Sequence, residues 1–132
     1  MVIDYSNLYK LRINNIEESS LKHDIIKLAI LRKLLKKYSN IKNYIYIYTE
    51  LPLTNKEKVK KTDLLFLNVK TKEAYSYEIQ NIIDSKWMSE TKEFYKDWDY
   101  PFMRTSDLII IPIKDLSDNI LELSEQLNQY II

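Results

Sequence analysis

Two acidic residues on neighbouring predicted strands are the clearest candidates for chemistry in this sequence. Residues 63–80 begin with an apolar run of strand length, pass through a polar, turn-like stretch, and then alternate polar and apolar side chains. This pattern predicts a β-hairpin that carries Asp63 on its first strand and Glu78 and Gln80 on its second. Carboxylates are unfavourable in so apolar a hairpin unless they have partners.

The type of these side chains indicates a divalent metal site. Carboxylates that converge from neighbouring strands present hard oxygen ligands, which suit Mg²⁺ or Mn²⁺. Strand side chains alternate with a period of two, so Gln80 lies on the same face as Glu78 and can hold a water or a phosphate. We therefore expect Asp63 and Glu78 to share one metal ion on one face of the sheet, with Gln80 beside it.

The composition excludes several other kinds of site. The 132 residues include no Cys, no Gly and a single His. Thiolate metal sites, cysteine nucleophiles, multi-histidine centres and glycine-rich phosphate loops are therefore excluded. The net charge is +1, so a surface that binds nucleic acid has to be a local basic patch.

A lysine-rich segment precedes Asp63 and is predicted to be a polar loop over residues 55–62. It offers the best candidates for contacts with nucleic-acid phosphates, and the alternative is a merely solvated loop. The candidate residues are Lys56, Lys58, Lys60 and Lys61.

Apolar periodicity predicts seven elements in a single domain over residues 1–132. They are a helix at 20–38, strands at 44–48, 63–69 and 74–80, a helix at 85–98, a strand at 108–113 and a helix at about 117–130. The αβββαβα order predicts an α/β fold with a central mixed sheet of at least four strands, flanked by helices. Residues 1–20 are too apolar for a disordered tail and are expected to add a short strand or helical turn.

Polar residues just before the helical stretches are the expected N-caps. They are Ser20 for the first helix, Asp84 or Ser85 for the second, and Ser117 or Asp118 for the last.

Asp63, the Glu78-Ile79-Gln80 triplet and the order of elements together resemble the PD-(D/E)xK nuclease superfamily. The resemblance covers about residues 21–113. The Glu-x-Gln form is similar to the variant in CoiA-type competence proteins. The stretch LKHDIIKLAILRKL is similar to the helix before the nuclease core of replication-relaxation-type proteins. The resemblance implies a restriction-endonuclease-like core at about 20–113 and metal-dependent hydrolysis of DNA phosphodiesters.

The resemblance also assigns roles to individual residues. Asp63 matches the motif aspartate and Glu78 the second acid, and both would bind Mg²⁺ or Mn²⁺. Gln80 stands where the motif has lysine, so it can position a water by hydrogen bonding but supplies no charge. Lys86, one turn into the following helix, is the expected replacement cation.

The superfamily often places a further acid on the first helix. Asp24 is the best match for this additional metal ligand, with Glu50 as the alternative.

Three functions remain open at this point. The first is a DNA endonuclease that acts alone or as a homodimer. The second is a catalytically inactive nuclease-fold module that binds nucleic acid or protein, which Gln80 and the near-neutral charge favour. The third is a helix–sheet interaction protein that dimerises through Tyr44, Tyr46 and Tyr48 or through residues 130–132.

Simpler interpretations exist for each residue. Asp63 can be a turn residue, Glu78 an outward-facing charge, and His23 a surface or packing histidine rather than part of a site. The two tryptophans and the tyrosine row are interpreted as core or interface aromatics.

The sequence also bears on location. No apolar run approaches the roughly 18 residues of a membrane span, so we expect no membrane association and a cytoplasmic protein. Richness in Ile, Lys, Asn and Tyr without Gly is typical of an AT-rich genome such as that of a small virus. The location would then be the host cytoplasm.

Overall fold

Four strands form one mixed sheet in the order β1-β2-β3-β4. The structure is a computed structural model that describes residues 19–132. The strands are β1 (Ile45–Asn55), β2 (Lys58–Asn68), β3 (Glu73–Gln80) and β4 (Thr105–Pro112). β1 pairs antiparallel with β2, β2 pairs antiparallel with β3, and β4 runs parallel to β3. The predicted α/β class and mixed sheet are confirmed, as is the hairpin over 63–80.

In the described part of the chain, three α-helices complete the predicted order. They are α1 (Ser19–Lys37), α2 (Ser85–Tyr95) and α3 (Ile120–Gln126), with short 3₁₀ segments at Ser39–Tyr44, Ile113–Asp115 and Leu127–Tyr130. The helix α2 connects the parallel strands β3 and β4, as such pairs require a crossover. Within residues 19–132, no helix combines the length and apolarity that crossing a membrane demands.

Helices cover the sheet on both faces, so the side chains at the centre of β2 are buried on both faces of the strand. Leu64 and Phe66 join the core cluster that contains Ile26 and Ile30 of α1. Leu65 and Leu67 join a second cluster with residues from α2 and the segment after it, namely Phe94, Tyr95 and Trp98. This two-sided burial explains why residues 64–67 form an unbroken apolar run.

The side-chain alternation of β1 reverses near Glu50. Ile45 and Ile47 pack against the α1 cluster, whereas Leu51 and Leu53 pack with the α2 cluster. All four have odd numbers and would share a face in a regular strand. Glu50 lies between the two pairs with a left-handed φ of 54°, so the strand changes faces there.

The side-chain alternation of β2, the partner of β1, also reverses opposite Glu50, at Asp63. Thr49 pairs with Leu64 and Leu51 with Thr62, and the ladder skips Glu50 and Asp63 between them. Leu64 faces the α1 cluster, while Thr62 bonds to Ser76, whose hydroxyl contacts Tyr95 of the α2 cluster. Asp63 therefore lies at a break in the regular ladder, where its side chain is released from the normal strand geometry.

The predicted loop at residues 55–62 is wrong, because β1 and β2 continue through it as a long hairpin. The paired residues extend to Asn55 and Lys58, and Lys56 turns the chain with a φ of 58°. Alternating lysines gave the segment a loop-like composition. Lysine stems can nevertheless lie along a half-exposed strand while their charges stay in water.

Two of the predicted helix starts are also wrong. The helix α1 begins at Ser19, which places Ser20 inside the first turn. Asn119 caps α3 by accepting from the backbone of Leu121 and Glu122, because Asp118 is engaged by the buried Lys22 at 2.8 Å. Asp84 is the confirmed cap of α2, accepting from Trp87 N at 2.7 Å. The expected strand or turn within residues 1–18 lies outside the described residues.

Other predicted bounds shift by a few residues. The helix α2 ends at Tyr95 instead of residue 98, and β4 begins at Thr105 instead of 108. Among the described residues, four adopt left-handed backbone angles although none is glycine, and each lies in a turn or at the ladder break. They are Glu50, Lys56, Lys72 and Phe102, with φ between 54° and 67°.

Adjacent leucines in α1 provide a test of which helix face is buried. Leu34 is fully buried and Leu35 is 52% exposed. We expect Leu34→Ala to lower the free energy of unfolding by about 2–5 kcal/mol, since it leaves a cavity in the α1 cluster. The matched Leu35→Ala change should alter it by only about 0.5 kcal/mol. Urea denaturation of both variants measures the difference, and equal losses would contradict this packing.

Candidate functional site

A cleft of about 430 Å³ opens where β3 ends, between the start of α1 and the start of α2. It brings together Asp63, Glu78 and Gln80, the three residues that the sequence singled out. Its lining residues are Ser20, His23, Lys60, Asp63, Glu78, Ile79, Gln80, Asn81, Ile82, Trp87 and Ile113.

The carboxylate of Asp63 is fixed at both oxygens. Oδ2 accepts a hydrogen bond from Ile79 N at 2.6 Å, and Oδ1 lies 3.1 Å from Nε2 of His23. The backbone pairs between β2 and β3 end at Leu64 and Tyr77, so the Asp63 side chain binds an amide beyond the paired region. Each carboxylate oxygen has two lone pairs, which leaves acceptor capacity on both.

Glu78 is a buried carboxyl, with 5% of its surface exposed. The hydroxyl of Tyr95 donates to its Oε1 at 2.6 Å. The same hydroxyl lies 2.8 Å from Ser76 Oγ, and Ser76 lies 2.6 Å from Thr62 Oγ1. A chain of four polar side chains thus crosses the α2 side of the sheet and ends at the cleft.

Burial raises the pKa of the Glu78 carboxyl to about 7. The Tyr95 hydrogen bond and the charge of Lys60 lower this pKa, while the charges of Asp63 and Glu50 raise it further. Burial also raises the pKa of Tyr95, followed by the charge of Glu78. The phenol of Tyr95 therefore stays protonated and donates a hydrogen bond to Glu78. The Glu78 carboxyl changes its charge near neutral pH.

His23 lies between two aspartates, Asp63 and Asp24. Its Nε2 contacts Asp63, and its Nδ1 lies 3.3 Å from Oδ1 of Asp24. The hydrogen bond to Asp63 raises the pKa of His23, and desolvation partly opposes it. Two carboxylate neighbours favour the imidazolium, which can donate from both nitrogens. The sequence favours a surface or packing role for His23, because a single histidine at a helix start has no pattern that identifies it as part of a site.

Lys60 of β2 is the lysine that lines the cleft. Its Nζ lies 5.8 Å from the ring centroid of Trp87, and its charge lowers the pKa of Glu78. Lys86, the expected replacement cation, is exposed on α2 and is not part of the cleft lining. Lys60 was predicted as a phosphate contact in a loop, and only the true strand register places it beside the acids.

The three other predicted phosphate contacts, Lys56, Lys58 and Lys61, are exposed on the β1–β2 hairpin. Lys58 and Lys60 also line a neighbouring groove against α2, whose other wall carries Glu90 and Glu93. The hairpin therefore presents positive charge next to the cleft, with acidic residues facing part of it.

The two additional metal-ligand candidates lie outside the cleft lining. The Asp24 side chain is 60% exposed and contacts His23. Glu50 accepts a hydrogen bond from Lys27 at 2.9 Å, although its charge reaches Glu78. Among residues 19–132, no group of three or more His, Asp or Glu side chains is arranged to hold a metal ion. The acidic residues in the cleft lining are Asp63 and Glu78.

The two acids reach the cleft from different directions. Asp63 takes its side-chain partner from α1, and Glu78 takes its partner from α2 on the other side of the sheet. The ladder break at Asp63 produces this arrangement, which differs from the simple same-face pattern expected of regular strands. Gln80 lines the cleft as well, and its amide donates to Ile82 O at 3.0 Å.

The aromatic residues that the sequence analysis grouped together have different environments in the structure. Trp98 is buried and contacts Tyr95 with ring centroids 5.3 Å apart. Tyr46 and Tyr48 lie on β1, which is an edge strand of the sheet as described over residues 19–132, and Tyr44 immediately precedes it. The three tyrosines are exposed by 41–47% of their surface. This row was interpreted as core or interface aromatic residues, and its exposure rules out the core.

No model of a known protein family matches this chain, and comparisons with curated proteins and with solved structures find no match either. The function of the cleft is therefore inferred from its own residues.

The raised pKa of Glu78 predicts an unusual dependence of stability on pH in metal-free buffer. Between the ordinary pKa of 4.5 and the folded-state value of about 7, the folded state holds a proton that the unfolded state has lost. The free energy of unfolding should therefore fall with rising pH across this interval, by about 3 kcal/mol as an order of magnitude. The raised pKa of His23 acts in the same direction, with its contribution lost at higher pH.

Glu78→Gln keeps an acceptor for Tyr95 but cannot titrate, so its stability should be much flatter across this pH range. Urea denaturation in EDTA at several pH values measures this slope. Glu90→Gln, at an exposed position on α2, is the matched control and should follow the wild type. Parallel profiles for wild type and Glu78→Gln would show that Glu78 titrates normally.

Proposed function

We propose that this protein is a metal-dependent DNA endonuclease of the PD-(D/E)xK type, which hydrolyses phosphodiester bonds in the cleft. The observation that carries the proposal is the meeting of Asp63, Glu78 and Gln80 in one cleft. The αβββαβα order and the mixed sheet support a restriction-endonuclease-like core. The strand order, with β4 parallel to β3, is compatible with that core.

The donor set of the cleft suits Mg²⁺ or Mn²⁺. Mg²⁺ is commonly bound by one or two carboxylates, with waters and substrate phosphates as the remaining ligands. Asp63 and Glu78 would hold the ion, and the negative charges of Asp63 and Glu50, which add to the effect of burial on the pKa of Glu78, favour an added positive charge there. A bound ion of this kind activates a water and offsets negative charge on the phosphate.

The protein's own side chains hold these ligands in place. His23 and the Ile79 amide fix Asp63 from two directions. Tyr95 fixes Glu78 through a hydrogen bond in a buried setting. Metal ligands supported by such hydrogen bonds are held in a defined orientation, which strengthens binding.

Lys60 is the residue best placed to supply the positive charge that Gln80 lacks. It lines the cleft and acts electrostatically on Glu78. Its ammonium can stabilise charge that develops on the phosphate during hydrolysis. Gln80 is left with the role of positioning a water, because its amide carries no charge.

A catalytically inactive nuclease-fold module is the second candidate. Gln80 in place of lysine favours it, because the usual motif cation is missing from that strand. The exposed row of Tyr44, Tyr46 and Tyr48 favours a homodimer through the edge strand in either case. An edge strand with exposed aromatic side chains is a common place for strands of two chains to meet.

Removal of either acid should abolish cleavage. We expect Asp63→Ala and Glu78→Ala each to eliminate Mn²⁺-dependent hydrolysis, because each removes a metal ligand. Cleavage of labelled duplexes and branched junctions in Mg²⁺ and Mn²⁺ measures activity, and circular dichroism verifies that each variant is folded.

Glu125→Ala, at an exposed position on α3 away from the cleft and the lysine hairpin, is the control and should cleave like wild type. DNA binding by the wild type without cleavage of any substrate would favour the inactive module. Full activity in a folded Glu78→Ala variant would refute the proposed metal site.

The assignment of the cation predicts a difference between two lysines. Lys60→Ala should lower kcat by roughly 10²-fold, as loss of one electrostatic stabiliser does, whereas Lys86→Ala should have little effect. Single-turnover cleavage at saturating enzyme separates this loss from a loss of binding. A larger effect of Lys86→Ala would transfer the role to Lys86.

Lys58→Ala and Lys61→Ala are the matched hairpin controls for this comparison. They should weaken DNA binding and reduce its salt dependence, because each lost phosphate contact removes about one unit of the log–log slope. Their single-turnover rates should stay near those of wild type.

A further inference from the structure

We propose that Trp87 is a stacking platform for an unpaired nucleobase beside the scissile phosphate. The preferred substrate class is then single-stranded or locally unpaired DNA. This inference rests on the proposed nuclease function and adds a specificity to it.

Trp87 is not used to build the described core. The buried residues of α2 are Thr91, Phe94 and Tyr95. Within residues 19–132, Trp87 belongs to neither hydrophobic cluster and lines the cleft half-buried. A tryptophan is the largest apolar side chain, and it is usually buried or in an interface. Its position in this cleft therefore calls for a ligand with a flat apolar face.

The surroundings of Trp87 match the parts of a nucleotide. Lys60 Nζ lies 5.8 Å from the indole centroid, and Ile82, 56% exposed, also lines the cleft. An indole stacks on any base, and a lysine binds the phosphate next to it. Glu78 and Asp63 line the same cleft, so a base on Trp87 would place its phosphate near both acids.

Base stacking and the volume of the cleft favour an unpaired base over a duplex. In a duplex each base already stacks on its neighbours, so its face is free for the indole only when the base is unpaired or terminal. The cleft volume of about 430 Å³ lies in the range of pockets for small ligands, about 300–1,000 Å³. It accommodates one nucleotide inserted into the cleft while the rest of the strand lies outside.

Tryptophan fluorescence tests the inference without requiring cleavage. The chain has two tryptophans, and Trp98→Phe leaves Trp87 as the single reporter. In EDTA, short oligothymidylate should quench the emission at concentrations where a blunt hairpin duplex has little effect. An oligomer of the same length made of abasic sites keeps the phosphates and should not quench.

Affinities in the wild-type background give a second readout that does not depend on Trp98→Phe. Trp87→Ala should weaken binding of oligothymidylate roughly 10- to 100-fold, the range expected for loss of one base–aromatic stack. Trp87→Phe should retain most of the affinity, and binding of the abasic oligomer should be the same in all three proteins.

The outcomes separate this inference from the proposed function. Equal binding of oligothymidylate by wild type and a folded Trp87→Ala variant overturns the stacking role, even if the protein cleaves DNA. Quenching that depends on Trp87 supports the role, even if no substrate is cleaved and the catalytic proposal fails. Equal binding and quenching by duplex and single strand overturns the substrate preference.

Discussion

A carboxyl group buried inside a sheet that is covered on both faces is the constraint on which this cleft depends. Desolvation disfavours the charged form of Glu78 and raises its pKa to about 7. The polar chain through Tyr95, Ser76 and Thr62 runs through an otherwise apolar layer and ends at this carboxyl. At neutral pH the cleft is stabilised by a proton on Glu78 or by a cation beside it, and this requirement links the fold to the proposed metal chemistry.

The break in the ladder at Glu50 and Asp63 supplies the second half of the site. A regular strand would have directed Asp63 to one face, where the buried apolar side chains of its neighbours lie. The reversal directs its carboxylate to the Ile79 amide and His23 instead. Two adjacent strands thus deliver acids to one place although their supporting residues come from helices on opposite sides of the sheet.

The sequence predicts the parts of this fold that depend on local pattern. The apolar run before Asn68 and the alternation before Gln80 predict the hairpin, and the spacing of the motif residues predicts that they meet. The sequence does not predict the strand at residues 58–62, because its lysine-rich composition is typical of a loop. Its strand conformation depends on pairing with β1, which is a tertiary interaction. Lys60 and His23 were undervalued for the same reason, since each acquires its role from neighbours on other elements.

The left-handed turns connect the amino-acid composition of this chain to its backbone energy. Left-handed angles cost most L-residues roughly 1–2 kcal/mol, and glycine escapes this penalty. Here Lys56, Lys72 and Phe102 occupy such positions in a chain that has no glycine. Residues with a Cβ therefore carry strain at these turns, and the packing of the two hydrophobic clusters has to offset it.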